Sequence, residues 1–298
     1  MRVGKSKKDS SFYSSILLTL TLSIVATILI LSAILYFNFE NIVTNQIYAY
    51  TMDNLQQTSQ GATLMKINTS TLAKQIFIDR HISTLRNYAT VDQIARRTAI
   101  DQMNYYRATS PFIESIYVYN RTSGLFYISS EFTENNVLSQ DIFYDKEIMD
   151  IIKNYKEYRN LMPIPRCIQT NKGQVNVYTF ILHDGIGEYP PDSMIFINYS
   201  EEYLYKDVSG MEADSRNDIF TIDGNGMVVS DGQKYPILSN VSGLDYVKKI
   251  LSDRHAGYFI TGVSGEKTFV AYTEPDLLGW RYIRLVPYDK ITGNIARM

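Results

Sequence analysis

Few side chains in this sequence have the types and spacing that catalysis or metal binding requires. The three histidines, His81, His183 and His255, lie far apart and lack the H-x-x-x-H spacing with which a helix presents two metal ligands. Neither a G-x-S-x-G nucleophile turn nor a glycine-rich phosphate loop occurs in the sequence. We therefore expect no enzymatic activity, no metal site and no cofactor, and we interpret the histidines as surface residues.

Three short motifs have simpler explanations than chemistry. The run Asp223-Gly224-Asn225-Gly226 resembles the start of a calcium loop but lacks the fifth-position ligand and the distal glutamate, so a hairpin turn explains it. Glu201 and Glu202 begin an expected short helix, where acidic side chains meet the helix dipole favourably. Cys167 beside Arg166 would be an activated thiol or, more simply, a small strand residue. As the single cysteine, it excludes an intrachain disulfide.

The strongest signal among the elements is an uncharged segment of thirty residues from Ser10 to Phe39. Its core, Ile16–Phe37, would form a helix of about 33 Å, which crosses the ~30 Å hydrocarbon layer of a bilayer. This core is longer than the ~7–15 apolar residues of a signal peptide, so we predict an uncleaved transmembrane helix over residues 14–39. Basic residues precede the segment and none follows until Lys66, which predicts that residues 1–13 are cytoplasmic and the rest extracellular.

The residues after this segment have an acidic composition. They carry 25 basic and 30 acidic side chains, which argues against nucleic acid as a partner of this part of the chain. The 24 tyrosines of the chain suit both sheet surfaces and ligand pockets, because each ring offers an apolar face and a hydroxyl group.

Residues 40–110 have the pattern of stalk helices. Apolar residues recur at helical spacing, proline is absent, and a joint between two helices is expected at Asn87–Thr90. A long helix that continues from the membrane segment would act as a lever between the outside and the inside of the cell, or as a plain spacer.

After Pro111 the apolar period changes to two, and one order of elements occurs twice. Residues 112–208 are interpreted as a hairpin, a helix over 141–158, three strands and a short helix, and residues 217–297 repeat that order. Turns at Asn120–Gly124 and Asp223–Gly226 close the two hairpins. The sequence therefore predicts an α+β fold, in which an N-terminal transmembrane helix and a long stalk helix precede two antiparallel-sheet lobes at residues 111–210 and 211–298.

Four segments in this layout resemble a known family. They are IYVYNRTSGLFYIS, NVYTFI, DIFTIDGNGMVVSDG and the closing GWRYIRLVPYDKI. Together they resemble double Cache domains, which have an anchor helix, a stalk helix and two PAS-like lobes. The resemblance implies the extracellular sensor of a Gram-positive membrane-bound AraC-type transcription regulator or sensor histidine kinase. Such proteins continue through a second membrane helix into a cytoplasmic output domain, and this chain stops at Met298 before either part, so we expect a sensory fragment.

The resemblance also implies a small-molecule site in the membrane-distal lobe, built from strand aromatics and a few polar anchors. Tyr117 and Tyr119 share one face of a strand, and Arg166 would suit a carboxylate or a cluster of sugar hydroxyls. The alternative is that these tyrosines form the outer, half-exposed sheet face. The Arg and Trp pair of amino-acid-binding double Cache domains is absent, which favours a sugar or another metabolite. The candidate ligand-binding residues are Tyr117, Tyr119, Phe126, Asp145, Arg166, Tyr178 and Asn198.

These inferences predict a membrane-anchored extracellular sensor that passes a ligand-induced shift through its stalk to a cytoplasmic output. We expect a homodimer, because a single spanning helix otherwise has no partner to move against. An AraC-type DNA-binding output is preferred and a histidine kinase is the alternative. A surface-anchored binding module without signalling is the competing class, and an exported hydrolase would need a catalytic constellation that the sequence lacks.

Overall fold

The structure is a computed structural model that describes residues 7–170, 173–185, 190–206, 218–231 and 234–289. The chain divides into two units, residues 1–50 and 51–298. The boundary predicted between the lobes, at residues 210 and 211, lies outside the described residues, as does most of the C-terminal helix expected from Pro287.

The first unit contains the apolar segment. Helix α1 (Lys7–Ile78) includes all of it, and the large apolar side chains from Ile16 to Phe39 are exposed. Within the described residues, this is the one helix long and apolar enough to cross a membrane, with a mean hydropathy of 2.5 over its most apolar window.

In the second unit, three helices lie in the region predicted as the stalk. The part of α1 after Tyr50 buries one stripe at helical spacing, which includes Leu55, Ala62, Met65 and Ile76. Helix α2 (Arg80–Asn87) begins at Asp79, whose carboxylate accepts hydrogen bonds from the backbone N–H groups of His81 and Ile82. Helix α3 (Gln93–Arg107) is capped in the same way by Asp92. The break at Asp79 was not among the sequence predictions, whereas the interruption after Asn87 was.

The distal lobe is a six-stranded antiparallel sheet in the order β3-β2-β1-β6-β5-β4. Helix α4 (Lys146–Lys153) and a 3₁₀ turn (Tyr155–Glu157) occupy only part of the helix expected over residues 141–158, and the three-residue strand β3 was not predicted. A short helix, α5 (Tyr203–Lys206), follows the sheet. The strands are β1 (Ile113–Asn120), β2 (Leu125–Ser130), β3 (Val137–Ser139), β4 (Ile164–Thr170), β5 (Gly173–His183) and β6 (Ser193–Ser200).

Both faces of the distal sheet are covered. On one face, the aromatic rings of β1, β2 and β6 pack with Ile148 and Ile151 of α4. On the other face, Asn120 of β1 donates hydrogen bonds to carbonyl groups at the end of α2, and Arg107 of α3 donates to the hydroxyl of Ser129. All eight residues of β6 are buried as a result.

The proximal lobe is a five-stranded antiparallel sheet in the order β8-β7-β11-β10-β9, with helix α6 (Asp245–Ser252) packed on it. Asp223 closes the β7–β8 hairpin, because its carboxylate accepts hydrogen bonds from the N–H groups of Asn225 and Met227, both at 2.8 Å. Gly226 adopts φ +76°, and a Cβ there would lie 2.7 Å from the Cβ of Ser242. The strands are β7 (Ile219–Ile222), β8 (Val228–Asp231), β9 (Gly257–Val263), β10 (Glu266–Tyr272) and β11 (Arg281–Pro287). The chain therefore has the predicted α+β fold, with a long N-terminal helix followed by two antiparallel-sheet lobes.

Candidate functional site

A buried ion pair lies between the distal sheet and α4. Arg166 extends from β4, and Asp145 immediately precedes α4. The guanidinium donates two hydrogen bonds to the carboxylate, from Nη1 to Oδ1 at 3.1 Å and from Nη2 to Oδ2 at 2.5 Å. Both side chains are at least 96% buried, with 4% and 3% exposure. This bidentate geometry fixes the orientation of the planar guanidinium.

The ion pair continues into a chain of polar side chains that crosses the sheet. Arg166 Nε donates to Thr179 Oγ1 at 2.9 Å, and Thr179 Oγ1 donates to Asn198 Oδ1 at 2.6 Å. Asn198 Nδ2 then donates to Ser115 Oγ at 2.8 Å. The five residues come from the start of α4 and from β4, β5, β6 and β1, and all are buried. Buried polar groups require such partners, because an unmade hydrogen bond leaves the desolvation cost uncompensated.

Tyrosine and phenylalanine rings lie next to these hydrogen-bonded polar side chains, on the same face of the sheet. The hydroxyls of Tyr117 and Tyr144 are 2.8 Å apart, and the ring of Phe126 stacks on Phe143 with centroids 3.9 Å apart. Tyr119 donates its hydroxyl proton to Gln140 Oε1 at 3.0 Å. Burial raises the pKa of Tyr117 well above its usual value and also raises the pKa of Tyr144. Both hydroxyls therefore stay protonated at neutral pH and act as neutral hydrogen-bonding groups.

The structure brings together six of the seven predicted residues and separates one. Tyr117, Tyr119, Phe126, Arg166 and Asn198 lie on the α4 side of the sheet with Asp145. Tyr178 is on the opposite face, because it alternates with Thr179 along β5, and its ring centroid is 5.2 Å from that of Trp280 in the proximal lobe. The prediction that Tyr178 lines this site with the other six residues is therefore corrected, because its ring lies on the other face of the sheet.

Sequence reasoning did not single out Thr179, Ser115 and Tyr144. Thr179 and Ser115 are direct cross-strand partners of Asn198, so the strand register identifies them once one partner is known. Tyr144 lies outside the strands, and its sequence position next to Asp145 was the one available signal.

A cavity of about 380 Å³ opens beside Tyr144. It lies between the loop after β2, the segment before α4 and the end of β4. Tyr144 is the residue shared by the cavity wall and the tyrosine pair described above. The lining residues are Phe132, Thr133, Asn135, Leu138, Ile142, Tyr144, Gln169 and Thr170.

No protein-family model matches this sequence, and no curated protein sequence matches it. Solved structures do resemble its fold. The extracellular domain of the putative histidine kinase vpHK1S-Z8 is 12% identical, with a TM-score of 0.63 over 87% of this chain and 97% of that chain.

Two chemoreceptor domains resemble the chain at a similar level. The Campylobacter jejuni Tlp3 ligand-binding domain in complex with L-valine is 11% identical, with a TM-score of 0.56 over 85% of this chain and 97% of that one. The Pseudomonas aeruginosa PctB domain in complex with L-Arg is 11% identical, with a TM-score of 0.55 over 83% of this chain and 97% of that one. The chain therefore has the double Cache-like fold found in extracellular sensor domains of histidine kinases and chemoreceptors.

Proposed function

We propose that this chain is the extracellular small-molecule-binding part of a membrane-anchored receptor. The buried pair of Asp145 and Arg166 carries this proposal. Desolvation of two charges costs more than packing apolar residues of the same volume, so such a pair contributes little net stability. A charged pair in a pocket-bearing lobe suits a function that depends on competition for its hydrogen bonds. The fold, shared with sensor domains, supports the same conclusion.

We propose that the ligand binds on the α4 side of the distal sheet, next to six of the residues that the sequence singles out. These residues are buried, and they provide aromatic rings, an ion pair and an amide whose contacts binding would change: Tyr117, Tyr119, Phe126, Asp145, Arg166 and Asn198. A sugar or another metabolite is the preferred ligand. The amino acids bound by Tlp3 and PctB make an amino acid the second candidate. A ligand transmits a signal only if it binds two conformations with different affinity.

We propose that α1 connects this event to the membrane and to a second copy of the chain. The segment Ile16–Phe37 would span the bilayer with the N-terminus in the cytoplasm. Leu64 and Ile67, three residues apart on α1, are 53% and 50% exposed and would pack against the same residues of the partner in a homodimer. An AraC-type output remains the preferred downstream domain, and a histidine kinase is the alternative. A surface module without signalling would bind ligand without any change along α1.

A thermal-shift screen tests ligand binding. The full chain in detergent micelles would be screened against neutral sugars, amino acids and carboxylic acids, and a ligand at 100 times its Kd should add about 2.7 kcal/mol of stability. Arg166→Met should weaken the shift, with Arg166→Lys as the milder variant if the first does not fold. Arg121→Met is the matched control, because Arg121 is exposed and lies outside the site. Absence of any shift across all three classes would overturn the proposal.

Disulfide cross-linking tests the dimer and its response. In a Cys167→Ser background, Leu64→Cys should cross-link between copies, and bound ligand should change the yield. Ser59→Cys, on a different face of α1, should cross-link weakly. Equal yields at the two positions would count against a dimer through this face, and a yield that ligand does not change would favour the surface module.

A further inference from the structure

The cavity beside Tyr144 has an unusual lining. Of its eight side chains, four are apolar or aromatic and four carry neutral hydroxyl or amide groups. Among the residues that the structure describes, no charged side chain lines this cavity. The apolar residues are Phe132, Leu138, Ile142 and Tyr144, and the neutral polar residues are Thr133, Asn135, Gln169 and Thr170.

Other cavities in the described part of the chain have a different character. A cavity of about 570 Å³ along α3 includes Arg96, Arg97 and Asp101 in its lining. Another, of about 390 Å³, is lined in part by Glu114, Glu201 and Glu202, and burial raises the pKa of Glu114. The absence of charge beside Tyr144 is therefore a property of that cavity and not of the surface in general.

Charge decides which ligands such a cavity accepts. A charged ligand would lose hydration without gaining an opposite charge, which is costly, whereas hydroxyl groups can exchange water for amide and hydroxyl partners. Rings and aliphatic side chains cover the C–H faces that a sugar presents between its hydroxyls. The volume of about 380 Å³ lies at the lower end of the ~300–1,000 Å³ range of small-molecule pockets.

Two of the polar groups are available to a ligand. Asn135 and Gln169 are exposed, and among the described residues neither side-chain amide takes part in a hydrogen bond. Each amide offers a donor and an acceptor, which matches a pair of neighbouring hydroxyls.

We propose that this cavity binds a neutral polyhydroxylated ligand of mono- or disaccharide size. The inference rests on the proposed sensor function and deepens it: the ligand contacts the uncharged cavity, and the buried ion pair responds to it. Tyr144 joins the two, because its hydroxyl is bonded to Tyr117 and the next residue, Asp145, pairs with Arg166. Gln169 lies on β4 with Arg166 but points to the opposite face of that strand, so a ligand held by Gln169 would act on the ion pair through the backbone of β4.

Affinity measurements on the full chain in detergent test this assignment. The probes are neutral mono- and disaccharides, glucuronate and glucosamine as charged analogues of matched size, and the amino acids and carboxylic acids of the thermal-shift screen. Gln169→Ala and Asn135→Ala should each weaken saccharide binding about tenfold, as expected for the loss of one or two hydrogen bonds. Gln174→Ala is the matched control, because Gln174 is the cross-strand partner of Gln169 and lines a different cavity. The melting temperatures without ligand should be the same for all three variants.

Each outcome decides between the two proposals. Saccharide binding that the two cavity variants weaken and Gln174→Ala does not would support the assignment. Saccharide binding that only Arg166→Met weakens would overturn the cavity as the site and leave the sensor function standing. Binding confined to amino acids, carboxylates or the charged sugar analogues would overturn the ligand class and leave the function standing. No binding by any probe would overturn both.

Discussion

At the scale of single residues, the buried pair of Arg166 and Asp145 makes a specific prediction about stability. Arg166→Met leaves the carboxylate buried without its cation, and we expect the free energy of unfolding to fall by about 3–5 kcal/mol. Asp145→Leu should cost less, because Glu147 Oε2 still lies 3.8 Å from Arg166 Nη1. The double variant Arg166→Met/Asp145→Leu should cost less than either single variant, because no charge remains buried. Chemical denaturation of the four proteins gives the coupling energy.

A surface ion pair provides the control for this cycle. Lys248 Nζ lies 3.1 Å from Asp245 Oδ1, and both side chains are exposed. Lys248→Met should therefore change the free energy of unfolding by less than about 1 kcal/mol. Additive costs for Arg166→Met and Asp145→Leu would mean that the two side chains do not depend on each other.

Part of this site could be predicted from the sequence, and the rest could not be predicted for a physical reason. The resemblance to double Cache domains identified Arg166, Asp145 and Asn198 as polar anchors of the distal lobe. The face of Tyr178 could not be predicted, because both faces of the distal sheet are covered and β5 has apolar residues at odd and even positions. An alternation of apolar and polar residues shows which face of the sheet a side chain occupies only when the other face is exposed to water.

At the scale of elements, Asn120 connects the sheet to the stalk region. Its Nδ2 donates to the carbonyl oxygens of Leu85, Arg86 and Tyr88 at 2.9–3.0 Å, at the end of α2. The last carbonyl groups of a helix have no hydrogen-bond partners within the helix, and the Asn120 amide of β1 donates hydrogen bonds to the carbonyl groups here. The hydrogen bonds are buried, since Asn120 is 1% exposed.

Asn120→Ala should therefore destabilise the protein, because it leaves these carbonyl groups buried and without their donor. We expect a loss of about 1–3 kcal/mol in the free energy of unfolding. Hydrogen exchange should report the largest loss of protection in α2. Asn87→Ala, at an exposed position on the same helix, should change stability by less than about 0.5 kcal/mol. Unchanged protection of α2 in Asn120→Ala would mean that packing alone holds this helix end.

Secondary-structure elements could be predicted wherever the residues of a turn themselves determine its conformation. Asp223 and Gly226 define a hairpin through their own side chain and backbone, and the flanking apolar runs complete the signal. The break at Asp79 was harder to predict, because the helical spacing of apolar residues continues through it. A single side chain, the carboxylate of Asp79 that caps α2, marks the point where α1 ends. Strand β3 has three residues and, among the described strands, pairs with β2 alone, so its sequence carries too little pattern to identify it.

At the scale of the whole second unit, the two lobes meet on the sheet face opposite α4. The ring of Tyr178 contacts Trp280, and the carboxylate of Glu201 accepts hydrogen bonds from Asn176 of the distal lobe and Ser230 of the proximal lobe, both at 2.9 Å. Thr179, which bonds Arg166, is next to Tyr178 on β5. One strand therefore carries the polar chain on one face and the lobe contact on the other, so a shift of β5 would reach both.

This arrangement predicts that Trp280 couples the lobes. Trp280 is 4% exposed, and Trp280→Ala should cost about 3–5 kcal/mol, as expected for removal of a buried aromatic ring. Calorimetry should show one unfolding transition for the unsubstituted chain and two for the variant, because each sheet has its own core and the contact between them is weakened. Trp280→Phe keeps a ring beside Tyr178 and should retain the single transition. In Trp280→Ala, a ligand of the distal lobe should raise the melting temperature of that lobe alone. If Trp280→Ala instead unfolds in one transition that the ligand shifts as a whole, coupling through this contact would be contradicted.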